Sequence, residues 1–110
     1  MPIDPRAARS WLFVPGDQPR KIAKSLECGA DAVIVDLEDA VGPENKVSAR
    51  DIVRRALDEA GAARAGTLVV IRVNSRDTGM TDDDIAATFG CRPDGYMLPK
   101  VMTPEDIVVT

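Results

Sequence analysis

Apolar residues in this chain gather into short runs that alternate with stretches of helical spacing. Ser10–Val14 forms a first run, ended by Pro15, Gly16 and Asp17, residue types that favour a turn and a helix cap. From Gln18 to Cys28 the apolar positions Ile22 and Leu26, with Ala30 beyond, recur at fours. Arg20, Lys21, Lys24 and Glu27 take the other face, which predicts an amphipathic helix with Gly29 at its end. Asp31–Glu38 is an apolar run that ends in acid, the pattern of a strand covered on both faces. Pro43 fits the start of a helix over Glu44–Ala60, whose stripe of Val47, Ile52, Val53, Ala56 and Leu57 ends near Gly61.

The alternation continues through the second half. Thr67–Asn74 predicts a third strand and Ser75–Met80 a polar loop. Thr81 suits a cap for a short helix over Asp82–Phe89, with Ile85 and Phe89 one turn apart. Asp82, Asp83 and Asp84 fall in its first turn, where the helix dipole favours them. Gly95–Val101 predicts a fourth strand, and Thr103 with Pro104 the start of another helix. The fold class is therefore α/β, with parallel βα repeats joined by right-handed crossovers. They describe either an open sheet or the first half of a (β/α)8 barrel. At 110 residues the chain makes one domain.

Composition narrows the functions open to such a fold. A net charge of −4 and four aromatic residues disfavour nucleic acid as a partner. No apolar stretch approaches the ~20 residues that span a bilayer, so no membrane partner is expected. The amino terminus carries charge but no apolar signal region, which makes a cytoplasmic location the expectation. Cys28 and Cys91 stand far apart without metal-ligand spacing, and reduced thiols are expected. The absence of histidine excludes Ser-His-Asp and Cys-His nucleophile systems within these residues. Carboxylates, Lys, Arg and backbone groups remain as the tools.

Those tools collect at strand ends. Asp36, Glu38 and Asp39 close the second run, and ligands of parallel α/β folds gather at the carboxyl ends of strands. Alternation places Asp36 and Glu38 on one face. Such a pair can bind a metal, hold its water molecules or orient a cation; Glu38 and Asp39 can equally be solvated loop residues. Arg72 follows four apolar residues, where an unpaired guanidinium is costly. It can be satisfied structurally by Asp36 or Glu38, or functionally by a ligand carboxylate or enolate oxygen. Asn74 follows two residues on. Lys100 ends the fourth run, as a neutralising cation or a Schiff-base amine. Arg20 and Lys21 open the first helix, where phosphate can be held. No glycine-rich nucleotide motif is present.

Four segments, Trp11-Leu-Phe-Val-Pro-Gly-Asp17, Val35-Asp-Leu-Glu-Asp-Ala-Val41, Ile71-Arg-Val-Asn74 and Met97-Leu-Pro-Lys100, together resemble the amino-terminal part of the citrate lyase β-subunit-like family. That family belongs with malyl-CoA lyases and the HpcH/HpaI aldolases. The resemblance covers nearly the whole chain. It implies a (β/α)8 barrel and magnesium-dependent carbon–carbon lyase chemistry on a hydroxy- or oxo-acid, commonly as its CoA thioester. It makes Arg72 the catalytic, substrate-binding residue that stabilises the enolate or carboxylate. Asn74 and Lys100 would also bind substrate, Arg20 or Lys21 would approach the CoA phosphates, and Asp36 and Glu38 would stand near a metal-bound water.

In that family the magnesium is held by a Glu and an Asp from the fifth and sixth strands, beyond the four strands counted above. Residues 1–110 are thus expected to form an incomplete, amino-terminal half-barrel that is deficient in catalysis alone. Its first and fourth strands would be open edges and its apolar inner face exposed. A second copy or a complementing chain would cover them. The rival expectations are a non-catalytic binding module that keeps Arg72 and Asp36 as a structural pair, and a flavodoxin-like phosphate binder.

Overall fold

Strands β1 (Trp11–Pro15), β2 (Ala32–Asp36), β3 (Leu68–Arg72) and β4 (Gly95–Met97) lie side by side in sequence order, all parallel. The computed structural model describes residues 10–64, 66–75, 78–98 and 108–109, with the backbone alone at 62, 63, 108 and 109. Lys100, the segment containing Thr103 and Pro104, and the amino-terminal nine residues lie outside the described residues. Helices α1 (Pro19–Glu27), α2 (Lys46–Ala60) and α3 (Thr81–Thr88) connect the strands. Because each crossover turns the same way, the helices share one side of the sheet.

Register explains what each face carries. Trp11, Ala32 and Leu68 align across the sheet, then Phe13, Ile34, Val70 and Gly95, then Pro15, Asp36, Arg72 and Met97. These rows are the stacked layers expected on the inner wall of a barrel. The alternate residues Val14, Val33, Val35, Val69, Ile71 and Tyr96 pack with Ile22 and Leu26 of α1 and Ala49, Val53 and Leu57 of α2. Burying each larger aliphatic side chain in that layer stabilises the fold by about 1.5–3 kcal/mol relative to exposure. All five residues of β2 are buried, as its continuous apolar run requires.

Several expectations change at element ends. Gln18, not Asp17, precedes α1, and Met80, not Thr81, precedes α3; neither residue makes a side-chain cap. Thr81 instead donates its hydroxyl to the Asn74 carbonyl. A short 3-10 turn over Pro43–Asn45 comes before α2, and Val47 points to solvent rather than into the stripe. Phe89 is likewise exposed, and the buried face of α3 is polar: Thr81, Asp84 and Thr88. Gly29 and Gly61 do end their helices, both at positive φ, where glycine lacks the Cβ penalty.

The open edge and bare inner face expected of a half-barrel are only partly seen. Val108–Val109 forms β5, antiparallel to β4, where the sequence pattern predicts helix; it pairs with Gly95 and Tyr96 and so covers that edge. On the inner face Ala32, Ile34, Leu68 and Val70 are buried, and Phe13 alone of its row is half exposed. Strand β1 is the outer strand of the described sheet. No helix among the described residues is long and apolar enough to cross a membrane.

Candidate active site at the carboxyl ends of the strands

Asp36 ends β2 and Arg72 ends β3, and the parallel register makes their Cα atoms direct partners. Both project on the inner face, in the layer nearest the carboxyl edge. Their side chains meet as a two-pronged pair: Arg72 Nε donates to Asp36 Oδ1 at 2.9 Å, and Nη2 donates to Oδ2 at 2.6 Å. Paired forks of this kind fix angle as well as distance. The Asp36 carboxylate also accepts the Glu38 N–H at 2.8 Å and the Ala40 N–H at 3.1 Å. These two bonds wind the chain back over the end of the strand. Gly16 seals the other side of that end, donating its N–H to the Asp36 carbonyl at 2.8 Å.

Three acids surround the guanidinium. Glu38 Oε1 lies 3.6 Å from Arg72 Nε, and Asp39 Oδ2 lies 3.9 Å from Nη2. The Phe13 ring lies 5.2 Å below the guanidinium carbon, a cation–π contact that supports the head group from β1. Burial pushes the Asp36 carboxyl upward, but the Arg72 hydrogen bond and charge and the two backbone N–H groups outweigh it and hold the group below its ordinary value. Glu38 moves the other way: burial, then the charges of Asp39 and Asp36, raise it against the pull of Arg72 and Lys46. The hydrogen bonds that Arg72 donates to Asp36, with the charges of the surrounding acids, raise the Arg72 pKa above its ordinary value despite partial burial.

A second polar group stands behind the first. Lys46 Nζ donates to the carbonyls of Leu37 at 3.2 Å and Glu38 at 2.7 Å, and to Asn74 Oδ1 at 2.7 Å. Asn74 donates both its backbone N–H and its Nδ2 to Asp84 Oδ2 at 2.8 Å. Arg50 Nε closes the line, 2.7 Å from Asp84 Oδ1. Asp84 is fully buried among these partners.

The structure thus brings Arg72, Asp36 and Glu38 together. Asn74, although two residues beyond Arg72, turns to Lys46 and Asp84 because the strand ends at Arg72 and strict alternation ends with it. Arg20 and Lys21 are exposed in the first turn of α1, which follows β1 at the same end of the sheet. Phe13, Lys46 and Arg50 were not among the expected site residues, and Asp84 was expected only as an acid of a helix first turn. One signal was there: Lys46 opens a helix, where the dipole disfavours a cation unless acceptors compensate it.

Among the described residues no three acidic or cysteine side chains converge so as to hold a metal ion. Asp36, the most buried acid of the cluster, already commits both oxygens to four donors. Magnesium requires several oxygen ligands in near-octahedral array, and the described residues do not supply that set by themselves.

Residues 9–109 match the profile of the HpcH/HpaI aldolase/citrate lyase family. The chain belongs to that family. A (3S)-malyl-CoA thioesterase of Cereibacter sphaeroides (strain ATCC 17025) is 40% identical over 99 residues, covering 90% of this chain and 34% of the relative. The citrate lyase β subunit of Mycobacterium tuberculosis complexed with oxaloacetate and magnesium superposes with a TM-score of 0.71 at 38% identity, covering 90% of this chain and 42% of that one. The protein CitE of the same organism, in complex with magnesium, acetoacetate and coenzyme A, gives 0.69 at 35% identity, covering 87% and 34%. This member of the HpcH/HpaI family spans about a third of the length of the curated relatives it matches.

Proposed function

We propose that this chain supplies the acid-anchoring part of a carbon–carbon lyase site that acts on a hydroxy- or oxo-acid carried as a CoA thioester. The observation that carries the proposal is the Arg72 fork, held by Asp36 at the carboxyl edge of the sheet. Asp36 occupies two of the five guanidinium N–H donors, so the end-on fork of Nη1 and Nη2 is the edge offered to a ligand. A substrate carboxylate or enolate oxygen matches that edge in charge and spacing.

In retro-aldol cleavage of a hydroxyacyl thioester the hydroxyl gives its proton to a base as its oxygen forms a carbonyl, the carbon–carbon bond breaks, and that bond's electron pair passes into the enolate of the departing acyl-CoA. A guanidinium already fixed in place stabilises that developing charge without reorganising. Bound magnesium would supply Lewis-acid stabilisation of the same oxygen, through ligands outside the described residues. Residues 1–110 alone would accordingly anchor the acid and be deficient in turnover. Arg20 and Lys21, on the same edge, suit the CoA phosphates. Metabolic acyl-CoA substrates agree with a cytoplasmic site of action.

A second reading is favoured by the saturation of Asp36. All four of its hydrogen bonds are internal, as a purely structural Arg–Asp lock in a non-catalytic module would have them. Saturation-transfer NMR with oxaloacetate, combined with a glyoxylate-release assay on malyl-CoA in magnesium buffer, separates the two. The lyase reading expects bound acid that is lost in Arg72→Ala, with glyoxylate release no faster than the blank. Bound acid that persists in Arg72→Ala, or no binding at all, favours the structural lock.

A further inference from the structure

We propose that Lys46 is a positioning residue for this site: it fixes Glu38 beside Arg72 and, through Asn74 and Asp84, ties the ends of β2 and β3 into one rigid rim. The inference rests on the reading that Arg72 faces the substrate, with Glu38 beside it at 3.6 Å. Segment 37–40 is gripped from opposite sides. Asp36 accepts the N–H groups of Glu38 and Ala40, while Lys46 donates to the carbonyls of Leu37 and Glu38. Glu38 alone is held by both, its N–H to a carboxylate and its C=O to an ammonium. Its backbone is therefore clamped between opposite charges, and from that fixed base its side chain reaches 3.6 Å from Arg72.

Lys46 is fully engaged in this task. An ammonium carries three donors, and three acceptors meet it at 3.2, 2.7 and 2.7 Å. The third acceptor, Asn74, is itself fixed by buried Asp84, and Asp84 by Arg50. A continuous line from Arg50 in the body of α2 thus ends at the Glu38 carbonyl. Among the described residues no buried side-chain nitrogen or oxygen lacks a partner. Removing Lys46 would take a donor from three acceptors at once, leaving the Glu38 carbonyl with only the 3.3 Å bond from the Val41 N–H, and the nearest consequence is the aim of Glu38.

Lys46→Met removes the donors at similar length. Amide hydrogen exchange should show the Glu38 and Ala40 N–H groups losing about tenfold more protection than those of Val33, Ile34 and Val35, because the clamp opens locally while β2 stays paired. A uniform loss along β2, or no loss, overturns the proposal; if the variant does not fold, Lys46→Gln reads the same contrast. The oxaloacetate Kd should rise about tenfold in Lys46→Met yet stay unchanged by that substitution in a Glu38→Gln background. An equal effect in both backgrounds rules out action through Glu38. Failure of the unsubstituted chain to bind oxaloacetate defeats the proposed function only, and the exchange contrast still decides the role of Lys46.

Discussion

Asp36 and Arg72 are Cα partners in the β2–β3 register and also bidentate partners through their side chains, so one ladder position fixes both backbone and charge. The buried carboxylate cannot leave without orphaning a guanidinium that is one-fifth exposed. Asp36→Ala should therefore destabilise the chain by about 3 kcal/mol, near the low end for breaking a buried pair. Urea unfolding checks this, with a fall in midpoint at constant slope.

The two acids of the cluster should respond to pH in opposite senses. Asp36 is held below its ordinary value near 3.8, so its contribution is complete above that pH and is lost as pH falls through the lower folded value. Glu38 is held above its ordinary value near 4.5, so stability is present below that pH and is lost as pH rises through the higher folded value. Glu38→Gln should accordingly raise the melting temperature at pH 7 and not at pH 4. Thermal unfolding of both proteins at the two pH values is the check.

Gly16 should not tolerate even a methyl group. A Cβ there would sit 2.8 Å from the Asp36 carbonyl oxygen and about as close to Leu37 and Val53. The oxygen belongs to backbone that β3 and β1 both hold, so it cannot yield cheaply. Gly16→Ala should cost about 1–3 kcal/mol, as overpacking does, and calorimetry would register it as a lower melting temperature.

Much of the fold was legible because β2 and β3 are runs of Val, Ile and Leu and α1 and α2 repeat at helical spacing. The pairing of Arg72 with an acid of the neighbouring strand was legible too, since a guanidinium after four apolar residues demands a partner. Asp84 was not. Standing beside Asp82 and Asp83, it reads as one of three acids favoured by a helix dipole, and only tertiary packing against Arg50 and Asn74 separates it from them. Val47 and Phe89 misled for a related reason: helical spacing names a stripe but not which of its margins the sheet covers. Strand β5 depends on a long-range pairing that no local period encodes.

Asp84 yields its own prediction. Asp84→Asn keeps the shape, but it removes the charge facing Arg50 and turns an amide toward donors of Asn74. The variant should lose about 3–5 kcal/mol, the cost of breaking a buried charge pair. Chemical denaturation would show the loss.

In the proposed site Arg72, aimed by Asp36, anchors the carboxylate or enolate of the substrate. Isothermal titration of oxaloacetate into the chain and into Arg72→Lys tests it most directly, because lysine keeps the charge and loses the fork. The Kd of Arg72→Lys should rise about 10- to 100-fold, the equivalent of one charge-assisted contact. An unchanged Kd in Arg72→Lys would contradict it.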